Sequence, residues 1–583
     1  MKRINFKPSV LILAAAVVLS GCSGLNKMKK NADQINFKVT PEVLESHASE
    51  VDVAINGRFP AKYFHKKVTL TATPVLKYEG GETEYQPVTV QGESVQANNK
   101  VISYNGGSVS YKDAVPFKKD MSKSELYVNI TATQGAKSVD FAPIKVADGV
   151  LATSERVASV PKPIMGVVRE ANTSGKYDPN IDAFQRIVPD EMMADIKYLI
   201  NRSNLRKDET EKSEVKALQD YTKKANENDR IDLKDVEVSA YASPDGSIDL
   251  NTELAAERKN TSSAFLAKKL KEAGVNVELK TKYTPEDWEG FKELMEKSNI
   301  QDKELILRVL SMYNDPEVRE REIRNLSETF TDVAADILPQ LRRAKMITSV
   351  DLIGKTDEEL KAAAKADPAS LTPAELIYAA TLFEDLNDQL EIFQSFVKVY
   401  PNDWRGPNNV GYVLAKQMKY ADAKPHFEKA EKLKNSEPIV KNNVGAIALV
   451  EGDVAKAESL FGAASGAGEE VNYNLGIVSV KKAEYDRAVR YYGKYQDPNT
   501  GLAKILAGDN NGALKDLDAC EIPNCWMTEY LKAVIGARTA KESLLFDSLK
   551  TACDINPSLK AEAKVDMEFA KYFSDPKFKA IVD

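Results

Sequence analysis

The sequence predicts a multidomain chain of three folds in series: an N-terminal β-sandwich, a central α/β domain and a C-terminal all-α solenoid. Three observations predict it. Apolar and polar residues alternate over short runs from about 36 to 150, strands alternate with helical stretches from about 183 to 355, and a motif recurs every 31 to 34 residues beyond 370. Size agrees, because 583 residues with 43% hydrophobic side chains can fill several cores at ~150 residues per domain.

Ahead of the first domain, residues 10–22 read VLILAAAVVLSGC and follow Lys2, Arg3 and Lys7. A basic start, a short apolar run and small residues before a cleavage point are the features of a secretory signal. The ending Leu19-Ser20-Gly21-Cys22 resembles the lipobox of bacterial lipoproteins. That resemblance implies removal of residues 1–21, acylation of Cys22 and a membrane anchor at the mature N-terminus. Residues 22–35, with the basic stretch Asn26-Lys27-Met28-Lys29-Lys30, are expected to be a flexible tether. Ser23 stands where an inner-membrane retention signal would place Asp, and residues 26–30 lack the acidic residues typical of surface-exported Bacteroidota lipoproteins. The expected location is the outer membrane, facing the periplasm.

A net charge of -7 argues against nucleic-acid partners, whose binders need a dense basic surface. With Cys22 acylated, Cys520, Cys525 and Cys553 remain, an odd number that provides no disulfide framework and is expected as buried free thiols. In the sandwich region, KVTLTAT from Lys67, GSVSY from Gly107 and ELYVNITA from Glu125 alternate as strands, with turns at Gly80-Gly81, Asn98-Asn99 and Gly106-Gly107. An antiparallel sandwich over 36–150 follows, a spacer or docking domain in which His47 and His65 have no catalytic partners. Residues 151–182 are expected to be a linker.

Over 183–355, a strand running into a turn is expected over 196–206 and strands at 236–241 and 277–281, with helices at 211–226 and 247–273. Gly246, Asn251, Leu254 and Arg258 fall at the spacing of the OmpA C-terminal domain, the fold of the peptidoglycan-associated lipoproteins, which this region resembles. Tyr198, Asn201, Ser203 and Leu205 match that family's first strand, Arg342-Arg343 resemble the pair opening its last strand, and residues 286–295 look like the enlarged Bacteroidota insert. The resemblance implies peptidoglycan binding, in which an Asp three residues before the motif Gly holds the ammonium of diaminopimelate and the motif Arg holds its carboxylate. Arg258 keeps the second role, whereas Ser243 replaces the Asp. A hydrogen bond to a charged group is worth ~1.5–3 kcal/mol against ~0.5–1.5 for a neutral pair, so binding should fall roughly ten- to a hundredfold. Asp245 lies two residues away as a substitute, making Ser243, Asp245, Asn251 and Arg258 the candidate peptidoglycan set. On its own evidence, Arg258 shares a helical stripe with Leu250, Leu254, Thr261 and Phe265, so its charge needs either a carboxylate partner or a ligand.

After a linker at 356–369, residues 370–583 carry the third pattern. Gly411, Gly445 and Gly476 are followed twelve residues on by Ala423, Ala457 and Ala488, and sixteen on by Phe427, Phe461 and Tyr492. A shorter unit has Gly501, Ala513 and Leu517. This resembles the tetratricopeptide repeat, in which small residues let paired helices approach and the aromatic fills the gap. The resemblance implies a concave groove for an extended peptide or helix, with Asn409, Asn443 and Asn474 bonding a ligand backbone or serving as structural consensus residues. Tyr412, Tyr473, Lys416 and Lys481 lie along the same helices, and Cys520 falls at a small-residue packing position.

The combined expectation is a scaffold subunit of an outer-membrane assembly or secretion complex, with other outer-membrane or periplasmic proteins as partners. The alternative is an anchor tying the outer membrane to peptidoglycan. No nucleophile, metal-ligand or phosphate-loop grouping is visible, and three His in the chain leave little acid–base chemistry, so an enzyme, a cofactor and a metal are not expected.

Overall fold

The structure is a computed structural model that describes residues 22–167 and 184–583. The signal at 1–21, the Cys22 side chain and residues 168–182 of the expected linker lie outside the described residues. The chain divides into two compact units: Met1–Gly166 with Asn402–Asp583, and Val167–Pro401.

In the first unit, residues expected to be a loose tether form the helix Cys22–Lys30. Leu25 and Met28, three apart on one face, are buried in the neighbouring core, and the Tyr63 hydroxyl donates to the Met28 carbonyl at 3.0 Å. Eleven strands follow: β1 (Asn36–Thr40), β2 (Val43–His47), β3 (Glu50–Phe59), β4 (Thr69–Tyr78), β5 (Gly81–Glu84), β6 (Val88–Gly92), β7 (Lys100–Ile102), β8 (Gly107–Pro116), β9 (Ser124–Gln134), β10 (Lys137–Asp140) and β11 (Ile144–Leu151). The expected antiparallel sandwich is instead one connected sheet of mixed sense. Short β2 joins two ladders by pairing antiparallel with β3 and parallel with β11, and β6 runs parallel to β7. Alternation still directs apolar residues inward. Phe37, Ile55 and Phe59 from one ladder meet Leu70, Val90 and Val128 from the other around a void of about 20 Å³.

The helical part of this unit is a series of paired helices: Arg405–Lys416 with Tyr420–Leu433, Pro438–Val450 with Val454–Ala463, Glu469–Lys481 with Tyr485–Tyr492, Pro498–Leu506 with Asn510–Asp518, and Trp526–Arg538 with Glu542–Ile555. Their pairing follows from the repeated residues. A methyl group on Gly411, Gly445, Gly476 or Gly501 would come within 2.6–2.8 Å of Phe427, Phe461, Tyr492 or Leu517 respectively, so only glycine lets each ring or branched side chain close onto the facing helix. Ala423, Ala457, Ala488 and Ala513 are all fully buried.

The second unit holds a four-stranded sheet, β12 (Ile187–Lys197), β13 (Ile231–Tyr241), β14 (Leu279–Thr284) and β15 (Arg343–Ile353), in the order β12-β15-β13-β14. β15 is antiparallel to both neighbours and β13 is parallel to β14. Helices Ser213–Glu227 and Ile248–Glu272 cover one face with Val215, Leu218, Leu266 and Leu270. The stretch 196–206, expected as a strand running into a turn, holds only the end of that strand: β12 begins earlier, at Ile187, and ends at Lys197, after which the chain turns through Asn201 at φ 53°. The helix pair Pro373–Thr381 and Leu386–Val399, inside the stretch expected as solenoid, belongs to this unit. Phe184 stacks on Tyr378 at 4.5 Å and Lys355 pairs with Glu375 at 3.0 Å, which ties the first of these helices to the sheet's flanking segments.

Candidate functional site: a repeat groove and the segment that fills it

Asn409, Asn443 and Asn474 stand two residues before the glycines of successive repeats, so the helices present them in register, and all three are fully buried. Each bonds the backbone of one residue twice. Gly166 N–H donates to Asn409 Oδ1 at 2.7 Å and its carbonyl accepts from Asn409 Nδ2 at 3.0 Å. Ile164 makes the same pair with Asn443 at 2.7 Å in both directions, and Lys162 with Asn474 at 2.7 and 2.9 Å. Asn499, which sequence reasoning missed, does so with Ala158 at 2.9 and 3.0 Å. It occupies the same place two residues before Gly501, so the signal was present in the shortened repeat. The groove is therefore filled by this chain's own residues 157–166, which run opposite to the order of the repeats.

The segment VASVPKPIMG suits this role. Residues 162, 164 and 166 are two apart, so an extended chain turns the same edge of each toward the groove. Pro161 and Pro163 directly precede Lys162 and Ile164, at positions where the groove asks for no N–H, and each proline restricts the residue before it to extended conformations. Ile164 is buried in the core of the array, and Gly166 packs against Trp404, whose ring would lie 3.2 Å from an added methyl. Val160 lies on the longer step between Lys162 and Ala158 and is 40% exposed.

A second row of amides holds the first. Asn443 and Asn474 donate to Asn408 Oδ1 and Asn442 Oδ1 at 2.8 and 2.9 Å. Asn408 and Asn442 donate in turn to the Ile164 and Lys162 carbonyls at 3.3 and 3.1 Å. Such interlocking matters because a buried amide without partners costs about 1–3 kcal/mol. The Lys162 ammonium lies 4.3 Å from the Tyr473 ring and 4.8 Å from that of Tyr495. Burial and nearby Asp497 hold the Tyr473 hydroxyl well above the ordinary phenol range, and it accepts from Asn499 Nδ2 at 3.2 Å. Tyr412 is half-buried with its pKa raised by burial and by Glu470; Lys416 is exposed and Lys481 half-buried.

Upstream, the turn Thr153–Arg156 fastens sheet to array. Arg156 pairs with Asp566 at 2.8 Å and lies 4.0 Å over the Tyr530 ring. Burial works against the Arg156 charge, but Tyr530 and Asp566 outweigh it and raise its pKa. The Ser154 hydroxyl donates to the Ser46 carbonyl at 2.6 Å. His47 Nδ1 lies 2.5 Å from the Tyr485 hydroxyl and its Nε2 lies 2.8 Å from Glu45, whose pKa is lowered by that hydrogen bond.

In the second unit, Ser243, Asp245 and Arg258 gather at the end of β13. Arg258, 1% exposed, has no carboxylate within ion-pair distance among the described residues. In place of the expected ion pair, Arg258 donates to main-chain carbonyls, those of Arg202, Tyr241 and Leu199 at 3.0, 2.9 and 3.4 Å. Two of these carbonyls, those of Leu199 and Arg202, lie in the turn that follows β12. Burial lowers the Arg258 pKa to about 10. Asp245 is taken by Arg342 at 2.9 Å and by the Ser243 hydroxyl at 2.5 Å, while Arg342 Nε donates to Ser243 Oγ at 3.1 Å. Asn251 sits apart, its amide closing the loop onto the Gly246 carbonyl at 3.2 Å. Among the thiols, Cys553 is buried with a raised pKa, but Cys520 and Cys525 are partly exposed, since both lie at the loop between helix pairs; Cys520 Sγ accepts from Thr528 Oγ1 at 3.5 Å.

No protein-family profile and no curated relative matches the chain. Among solved structures, similar ones include YrrB, described as a TPR protein with an unusual peptide-binding site, at 22% identity over 30% of this chain and 98% of that one, TM-score 0.23. A tetratricopeptide repeat protein from Parabacteroides merdae matches at 15% identity over 37% and 91%, TM-score 0.27. PilF of Pseudomonas aeruginosa matches at 14% identity over 37% and 99%, TM-score 0.28. The assignment of the helical repeat in this chain stands on its own glycine–aromatic contacts.

Proposed function

We propose that this chain is an outer-membrane lipoprotein, anchored through Cys22 and facing the periplasm, that serves as a protein-interaction scaffold in an assembly or secretion complex. The observation that carries the scaffold reading is the array of stacked helix pairs, whose successive repeats leave an extended surface outside the groove that residues 157–166 fill. The lipobox resemblance and Ser23 support the location. Extraction of the tagged full-length protein from membranes in mild detergent, followed by gel filtration, should yield a stoichiometric complex with other envelope proteins. A lone monomer would sink the scaffold reading, and digestion of the protein by protease added to intact cells would sink the periplasmic orientation.

A second reading, cell-wall anchoring, is favoured by the buried Arg258 charge, which forms no ion pair among the described residues. Against it, Asp245 is already engaged by Arg342. Co-sedimentation with diaminopimelate-type sacculi should be weak for the native chain and roughly ten- to a hundredfold stronger for Ser243→Asp, the difference between a neutral and a charged hydrogen bond. Absence of both chains from the pellet would remove the anchor reading.

A further inference from the structure

We propose that residues 158–166 are the permanent ligand of the repeat groove, and that the array works as an internal clasp closed to partner peptides. The geometry reaches beyond a scaffold with an open groove. All four in-register asparagines are committed to one stretch of this chain, and each satisfies both backbone groups of its residue. The stretch is fixed at its upstream end by Arg156 on Asp566 and by the Thr153 hydroxyl on Glu568, so it cannot drift from the groove when one bond opens.

Its downstream end gives the clasp a purpose. Gly166 lies against Trp404 and Asn409, although the whole second unit, Val167–Pro401, intervenes in sequence. The groove thus holds together the two points of the first unit between which the second is inserted. Partners of the array must use its other surfaces, because a peptide in solution competes with a tethered ligand at an effective concentration of ~mM.

The test uses the full chain from residue 22 and a fluorescent peptide of residues 157–166 as the probe. Against the native chain, anisotropy should show binding on the order of a hundredfold weaker or more than to a variant whose residues 158–166 are replaced by a Gly-Ser repeat, which is what ~mM tethering gives against a groove of micromolar affinity. Equal binding to both chains, or none to a folded Gly-Ser variant, overturns the proposal. A second measurement needs no variant: residue-resolved hydrogen exchange of the native chain. The N–H groups of Lys162, Ile164 and Gly166 should exchange as slowly as the array helices, and those of Val160 and Met165, which have no hydrogen-bond partner among the described residues, much faster. Rapid exchange at all five positions would show an open groove and also overturns it.

Discussion

Asn443 shows how much one side chain carries. Its amide satisfies both backbone groups of Ile164 and donates to Asn408, all away from water. Asn443→Ala should therefore cost about 1–3 kcal/mol, read as a lower midpoint in urea unfolding. His47 and Glu45 present a different case, since the Glu45 side chain is 38% exposed. The Glu45 pKa is lower in the folded state, so its contribution is present above the unfolded value of about 4.3 and lost as pH falls through the folded value. Glu45→Gln should flatten that acid limb of stability by at most about 1 kcal/mol, measured by thermal unfolding between pH 3 and 7.

Elements in the array depend on close approach, which two glycines separate cleanly. Gly445→Ala puts a methyl 2.8 Å from the Phe461 ring and should destabilise by about 1–3 kcal/mol. Gly462 lies in the facing helix of the same repeat with open space around it, so Gly462→Ala should be neutral or stabilising by up to about 1 kcal/mol, through helix propensity alone. Paired denaturant curves of the two variants check both. The spacing of glycine, alanine and aromatic made this packing legible, because it is a local pattern repeated. What lay outside its reach was long-range. Residues 157–166 show neither strand alternation nor helical period, and they pair with asparagines 243 to 341 positions away, so they looked like a linker. Asn408 and Asn442 were passed over for a related reason: a buried polar side chain is explained only by the partner it meets. At Arg258 the sequence revealed a buried charge, but carbonyls carry no mark in a sequence, and they became its partners.

The whole molecule has a discontinuous first unit, with sheet and array joined through Arg156 and the groove segment. Replacing 167–401 by a Gly-Ser linker of about eight residues, which spans roughly 15 Å, should leave that unit folded. Circular dichroism of the shortened chain should retain a cooperative transition within a few degrees of the native one. A non-cooperative melt would mean that the first unit needs the second to fold.

Leu25 and Met28 sit in the core only three and six residues beyond Cys22. An acyl chain on that cysteine would then be separated from rigid protein by about 10 Å of chain at most. A long leash lets a lipoprotein sample a hemisphere above its membrane, whereas so short a stem would press the sheet against the headgroups and fix its azimuth. Encounters with other envelope proteins would become lateral, a search over an area in place of a volume.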